Sequence, residues 1–224
     1  MAREIKRMHP HGSTYVRKTE YKHGQEVVKP LERKDFDEMT RLCTVKRDAA
    51  AEGSDEYYRW YRNYVILIVG VNTGNRITTI TEQTARDYAG GKYTVVEHKT
   101  GKRIEMDINP DVYRIIQNYI DAFSFKNNNY IFRTNLITDR PIARQTAWRM
   151  IKAVASEAGI KYCIGTHSLR KSYGRWIYDE THDIFLVQKL LQHNSAEVTQ
   201  RYICLEDSKV QSKRESINYV PKFK

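Results

Sequence analysis

The chain has 224 residues and is short of several things, each of which narrows its class. It has three cysteines, Cys43, Cys163 and Cys204, odd in number, widely spaced and without a CxxC pair. Neither a disulfide framework nor a zinc site is therefore indicated, and the three read as reduced, small packing residues. Long apolar runs are missing too. The longest, Val65 to Val71, covers seven positions, whereas a membrane span needs about 20. The first residues, MAREIKRMHPHG, lack the apolar stretch of a secretory signal. No internal repeat is visible. These shortages lead to the expectation of a soluble, cytoplasmic protein, long enough for one good-sized core with a small appendage.

Acidic residues are also scarce relative to basic ones: 27 against 38, a net charge of +11. That excess favours a polyanionic partner, either nucleic acid or an anionic membrane surface, although a solvated basic face would give the same number. Part of it lies in residues 1–30, with seven basic and three acidic side chains and little apolar periodicity. This stretch reads as an extended arm, either tracking a phosphate backbone or acting as a solubilising tail.

From Pro30 the pattern becomes helical. Leu31, Phe36, Met39, Leu42 and Val45 recur at helical spacing, and a strongly apolar helix follows Gly53-Ser54. It stops at Asn72-Thr73-Gly74-Asn75, and a further helical piece starts near Arg76. KYTVVEH and RIEMDI, the latter alternating Ile104, Met106 and Ile108, predict a hairpin around Lys99-Thr100-Gly101-Lys102. Helices are predicted after Asn109-Pro110, over RQTAWRMIKAVASEAG, from an N-cap at Thr166, over IFLVQKLLQ, and after a capping pair Asn194 and Glu197. The sum is a mainly α (α+β) domain with one small antiparallel sheet.

Five features carry chemistry, and the first four each have a plain alternative. His167 and Arg170, three apart on one helix, share a face and can converge on one ligand oxygen, but such pairs also arise by chance. Arg76 follows a turn where a helix begins; its planar fork suits a phosphate, or it is a surface arginine. Lys99 stands at the hairpin tip, where an ammonium can swing into a site or merely aid solubility. His193 follows an apolar helix at a break, as a site residue or as a C-terminal cap. Tyr202 comes nine positions later, in the next short helix.

Taken in order, TGNR with Arg76, HKTGKR with Lys99, HSLR with His167 and Arg170, and LQH-NSAEVTQR-Y with His193 and Tyr202 resemble the catalytic domain of the tyrosine recombinases, the phage-integrase family. The likeness runs from about Leu31 to Tyr202. It implies Tyr202 as the nucleophile on a DNA phosphodiester, forming a 3′-phosphotyrosyl link. Arg76 and Arg170 would stabilise the charged phosphate, His167 would act as general base and Lys99 would supply a proton to the leaving oxygen. His193 would hydrogen-bond the phosphate. No metal, ATP or other cofactor is implied; the partners are double-stranded DNA and, on it, a homo-tetramer. The expected division is an arm over 1–30 and a catalytic domain over 31–224, with a C-terminal tail from about 204 that docks on a neighbouring subunit or on its own.

The sequence departs from the family pattern in several places. Thr79 stands where an acid is usual, Gln192 where glycine precedes the histidine, and Lys171 where histidine is commoner. Lys102 competes with Lys99 for the hairpin role. Residues 1–30 are too few to form the N-terminal helical domain that completes the family's usual DNA clamp, so the expectation is a likeness to minimal recombinases that consist of a catalytic domain alone. The leading expectation is a site-specific DNA recombinase. A type IB topoisomerase-like relaxing activity and a DNA-binding regulator of the same fold remain as alternatives.

Overall fold

The computed structural model describes residues 27–96 and 103–205. Its elements run α1 (Arg33–Ala49), α2 (Asp55–Thr73), α3 (Ile77–Thr81), a kinked 3-10 segment (Ala85–Gly91), β1 (Tyr93–Val96), β2 (Arg103–Met106), α4 (Pro110–Ala122), α5 (Arg144–Glu157), α6 (Thr166–Thr181), α7 (Ile184–Leu190) and α8 (Ala196–Tyr202). Mainly helical with one two-stranded antiparallel ribbon, the architecture matches the sequence expectation.

The apolar helix α2 is the centre of the core. Ser54 Oγ accepts from the Tyr57 amide and starts it. Val65, Ile66, Leu67 and Val69 are all buried, because neighbours cover the helix on several sides: α1, α4 and α6 pack on it. Where α6 crosses, Gly70 admits Leu169; a Cβ there would lie 2.5 Å from Leu169 Cδ1. Much of the tyrosine content is structural, as Tyr58, Tyr61 and Tyr119 form a ring cluster with Phe123 and Phe125. Tyr58 and Tyr119 also donate hydrogen bonds to backbone carbonyls of the 131–133 segment, which satisfies their hydroxyls in the core.

Several local expectations need correction. Val45 is 52% exposed, and it is Met39 and Cys43 that bury the inner face of α1. The N-cap of α6 is Gly165, one residue before Thr166; its amide donates to Ser168 Oγ at 3.1 Å. Ser195, not Asn194, caps α8, its Oγ accepting from the Val198 amide. The alternation in β2 does not create a buried face: Ile104 and Met106 are exposed, because no layer covers a two-stranded ribbon there. On β1, Tyr93 is buried in the core and Val95 packs partly buried against it.

Residues 27–30, counted with the arm above, lie against the domain. The Lys29 amide donates to Cys163 O, and Lys171 Nζ donates to Val28 O at 2.7 Å. The Leu31 amide and carbonyl then bond to Ser172 and Trp176 on α6. Among the described residues no helix is long and apolar enough to cross a membrane.

Candidate active site

The site is assembled on one face of α6. His167, Arg170, Lys171 and Gly174 follow the i, i+3, i+4, i+7 pattern that brings helical side chains into one stripe. Arg170 is buried, and its guanidinium is fixed at both ends. Nη1 donates to Gly74 O at 2.5 Å and Nη2 to Leu191 O at 2.6 Å. The first carbonyl belongs to the turn that delivers Arg76, the second to the helix end that delivers His193. One side chain thus ties three pieces of the site together.

The Arg76 turn exists because α2 ends at Gly74 with φ +62°, a left-handed conformation that favours glycine. A Cβ there would also collide with the Tyr173 ring. Behind the turn, Asn75 Nδ2 and Gln83 Nε2 both donate to the buried Tyr93 hydroxyl, and Tyr88 Oη donates to Gln83 Oε1. This amide–phenol network supports the turn beside α3. Thr79 lines a separate recess with Glu82, Gln83 and Asp87.

His193 is positioned by a Schellman ending on α7. The His193 amide donates to Gln188 O at 3.0 Å and the Gln192 amide to Lys189 O at 3.1 Å. Gln192 takes φ +52° at the position where such endings usually use glycine. His193 Nδ1 lies 3.2 Å from Thr199 Oγ1, whose own proton goes to Ser195 O. In the neutral ring Nδ1 is therefore the donor and Nε2 is unprotonated.

Tyr202 ends α8 between the two histidines. Its hydroxyl is 3.3 Å from His167 Nδ1, a separation at which the phenol O–H donates to an unprotonated ring nitrogen. The His193 ring stands edge-on at 4.9 Å between centroids, and Lys171 Nζ sits 5.2 Å from the phenol centroid. The α7–α8 unit is held by a small cluster of its own, Val187, Leu191 and Ile203, apart from the main core. Gly174 lets it close on α6, since a Cβ would lie 2.8 Å from Leu191 Cδ1 and 3.0 Å from Ile203 Cγ2.

The electrostatics are those of a cationic, half-buried recess. Burial raises the Tyr202 phenol above its ordinary value, while Arg170 and Arg76 pull it back down. Burial lowers both imidazoles. For His167 the cations Arg144, Lys171, Arg170 and Arg76 add to the effect, and for His193 Arg170 and Arg76 do. Burial also lowers the Arg170 guanidinium. A cleft of about 120 Å³ is lined by Arg76, Thr78, Arg144, Thr166, His167 and Arg170. It is small and carries three arginines, so it suits a compact anionic group rather than a bulky ligand.

The sequence model of the Phage integrase family matches residues 32–209. The chain belongs to that family. Among its relatives, the probable integrase/recombinase YoeC of Bacillus subtilis (strain 168) is 33% identical over 147 residues, covering 65% of this chain and 79% of the relative. The chain spans about half the length of others, such as tyrosine recombinase XerD of Rhizobium meliloti (strain 1021), 25% identical over 171 residues that cover 75% of this chain and 55% of that one. The fold resembles the crystal structure of XerA recombinase, with a TM-score of 0.65 at 21% identity over 89% of this chain and 67% of that one. It also resembles a lambda integrase tetramer bound to a Holliday junction, with a TM-score of 0.55 at 16% identity over 80% and 49% of the two chains.

Of the six residues singled out in the sequence, Arg76, His167 and Arg170 line this cleft, and Tyr202 and His193 lie beside it, Tyr202 against both histidines. Lys99 and its competitor Lys102 lie outside the described residues, as do residues 1–26 and most of the tail. Sequence reasoning missed Arg144 in the cleft and the Asn75–Tyr93–Gln83–Tyr88 support. It noted Lys171 only as a departure. None of these has a local signature: Tyr88 and Gln83 are five positions apart, and the other partners are ten or more away.

Proposed function

We propose that this chain is the catalytic domain of a site-specific DNA recombinase that cleaves and rejoins duplex DNA through Tyr202. The observation that carries the reading is the Tyr202 hydroxyl at 3.3 Å from His167 Nδ1, beside a cleft lined by Arg76 and Arg170. A phosphodiester in that cleft brings its non-bridging oxygens to the two guanidiniums, whose charge counters the charge that builds up in the pentacoordinate transition state. Arg170 is already oriented by its two carbonyl partners, so little reorganisation accompanies the reaction.

Tyr202 attacks phosphorus, its proton passing to His167 Nδ1, and the bond from phosphorus to the 5′-oxygen breaks. The lowered imidazole makes His167 neutral at pH 7 and able to accept. His193 donates to the phosphate from Nε2 once the ring takes a proton, a state that the phosphate charge itself favours. Lys99 protonates the leaving 5′-oxygen. Return attack by a different strand's 5′-hydroxyl releases Tyr202 and joins the strands, with no cofactor consumed. The reading extends to a tetramer on DNA, supported by the lambda integrase assembly of similar fold. It also extends to a cytoplasmic place in a bacterial or phage-infected cell, where such DNA is found.

The test uses a nicked suicide duplex carrying the repeats or attachment sites that flank the coding region. Wild-type protein gives a denaturant-resistant protein–DNA adduct and Tyr202→Phe gives none. Retained DNA binding without any wild-type adduct would sink the enzyme reading. An adduct surviving in Tyr202→Phe would show that another tyrosine attacks.

A further inference from the structure

The ammonium of Lys171 has no part in the chemistry above. Lys171 is 6% exposed and stands one turn after His167 on the same stripe of α6. Its Nζ donates to Val28 O at 2.7 Å, lies 3.8 Å from Cys204 Sγ and sits 5.2 Å from the Tyr202 ring centroid. The three neighbours belong to three places in the chain: the stretch leading into α1, the turn after α8, and the proposed nucleophile itself. Arg175, four residues further on, also reaches that turn and donates to Cys204 O at 3.1 Å, but Asp179 pairs with it. Lys171 has no carboxylate partner among the described residues.

A buried cation without a counter-ion is costly. Here a backbone carbonyl and the negative face of an aromatic ring compensate for the lost water. As Tyr202 gives up its proton its ring gains negative charge, so its attraction to Lys171 grows toward the transition state. Interactions that strengthen in that direction raise the rate. An ammonium on a flexible four-carbon stem holds a ring in place only if it is itself held. Val28 O holds it, and the backbone around Val28 is anchored in turn. The Lys29 amide donates to Cys163 O at 3.0 Å, and the Leu31 amide donates to Ser172 Oγ at 2.7 Å. Leu31 O accepts from Trp176 Nε1 at 3.1 Å.

We propose that Lys171 is a positioning residue for Tyr202 and that residues 27–31 are its brace. The segment leading into the domain sets the ammonium, and the ammonium sets the phenol ring. The proposal rests on the reading of Tyr202 as the nucleophile. Whatever restrains or pulls the chain before Val28 acts on Tyr202 through this one side chain.

The first test needs no DNA and follows amide hydrogen exchange in the full-length protein. Lys171→Met fills the space without the charge. It should speed exchange over residues 198–205 at least about fivefold, the loss of one desolvated cation–ring contact. Exchange in α2 should stay at the wild-type rate, which reports an intact core, and Lys171→Arg should restore α8. Trp176→Phe removes the donor to Leu31 O and keeps a ring against Phe36. It should also speed exchange over 198–205, and the double variant should be no faster than Lys171→Met alone, because both substitutions act through one side chain. Unchanged α8 exchange in Lys171→Met overturns the proposal, and effects that multiply in the double variant overturn the brace.

The second test follows single-turnover adduct formation on a suicide duplex at saturating protein. Lys171→Met should slow it at least about tenfold, as misplaced reacting groups do, and should leave the salt slope of duplex binding unchanged, because a buried cation meets no phosphate. Around His167 stand the cations Arg76, Arg144, Arg170 and Lys171, with the Tyr202 hydroxyl at Nδ1. Losing the Lys171 charge should raise the imidazole and move the acidic limb of the rate to higher pH, and Lys171→Arg should return it. A loss of rate that is uniform in pH, or that Lys171→Arg does not restore, marks a packing role alone and overturns the proposal. If wild type binds duplex but never forms an adduct, the recombinase reading fails by itself, while hydrogen exchange still decides whether Lys171 and residues 27–31 hold Tyr202.

Discussion

Replacing Arg170 with alanine should cost this protein stability as well as cleavage, whereas replacing Arg76 should cost cleavage alone. Arg170 is 8% exposed and donates to two backbone carbonyls, Gly74 O at 2.5 Å and Leu191 O at 2.6 Å. A hydrogen bond from a charged donor contributes about 1.5–3 kcal/mol, so losing both costs about 3–6 kcal/mol before relaxation. Relief from burying the guanidinium, the same burial that lowers its pKa, offsets part of that. A net loss of about 3 kcal/mol remains, equivalent to roughly 6–12 °C in Tm for a domain of this size. Arg76 is exposed and its side chain caps nothing, so Arg76→Ala should stay within about 0.5 kcal/mol of wild type. Both variants should slow adduct formation at least about 100-fold, the usual cost of losing one donor to a transition-state oxyanion. Urea denaturation followed by circular dichroism reads the first quantity, and single-turnover cleavage of a suicide duplex the second. Equal denaturation midpoints for the two variants would refute the claim that Arg170 ties the Arg76 turn to the His193 helix end. Cleavage by Arg76→Ala within tenfold of wild type would refute its place at the phosphate.

The two site histidines give a pH prediction. His167 and His193 are lowered in the folded protein, so the unfolded chain binds more protons near and below its ordinary imidazole value of about 6.5. Their contribution to stability is therefore complete above that pH and is lost as pH falls through the folded values; in the double variant His167→Gln/His193→Gln, denaturation midpoints should fall less between pH 7 and 5 than in wild type. Gln192→Gly should raise stability by about 0.5–1 kcal/mol, because a left-handed residue at a helix end strains any side chain. A lower midpoint in that variant would mean that the Gln192 side chain has a stabilising role of its own.

The placement of Tyr202 has a dynamic consequence. The α7–α8 unit rests on three fully buried apolar residues and is separate from the large core around α2. Elements with few buried contacts open at lower free energy than the core does. The proposed nucleophile, Tyr202, thus sits on a part of the domain with fewer buried contacts than the main core, while Arg170 is held by carbonyls on both sides. The proposed reaction, in which one tyrosine attacks, remains attached and is later released, fits that division between a fixed Arg170 and a lightly held Tyr202.

The sequence by itself determined the helix around Val65–Val71, its stop at Gly74, the hairpin, and the stripe that holds His167 and Arg170. These follow from local spacing, turn chemistry and cap residues, which act within a few positions along the chain. It also singled out Tyr202 among sixteen tyrosines, through the ordered motif set rather than through any local property of the residue. Cap identities were misjudged by one residue, at Gly165 and Ser195, since backbone geometry selects between adjacent candidates. Tertiary structure alone decided that Val45 faces solvent, that β2 has no buried face, and that Arg170 bonds two carbonyls 96 and 21 positions away. It likewise brought Arg144 into the cleft and Lys171 over the Tyr202 ring. Such contacts depend on how α5, α6 and α8 pack, and packing is set by burial across the whole chain rather than by the order of neighbouring residues.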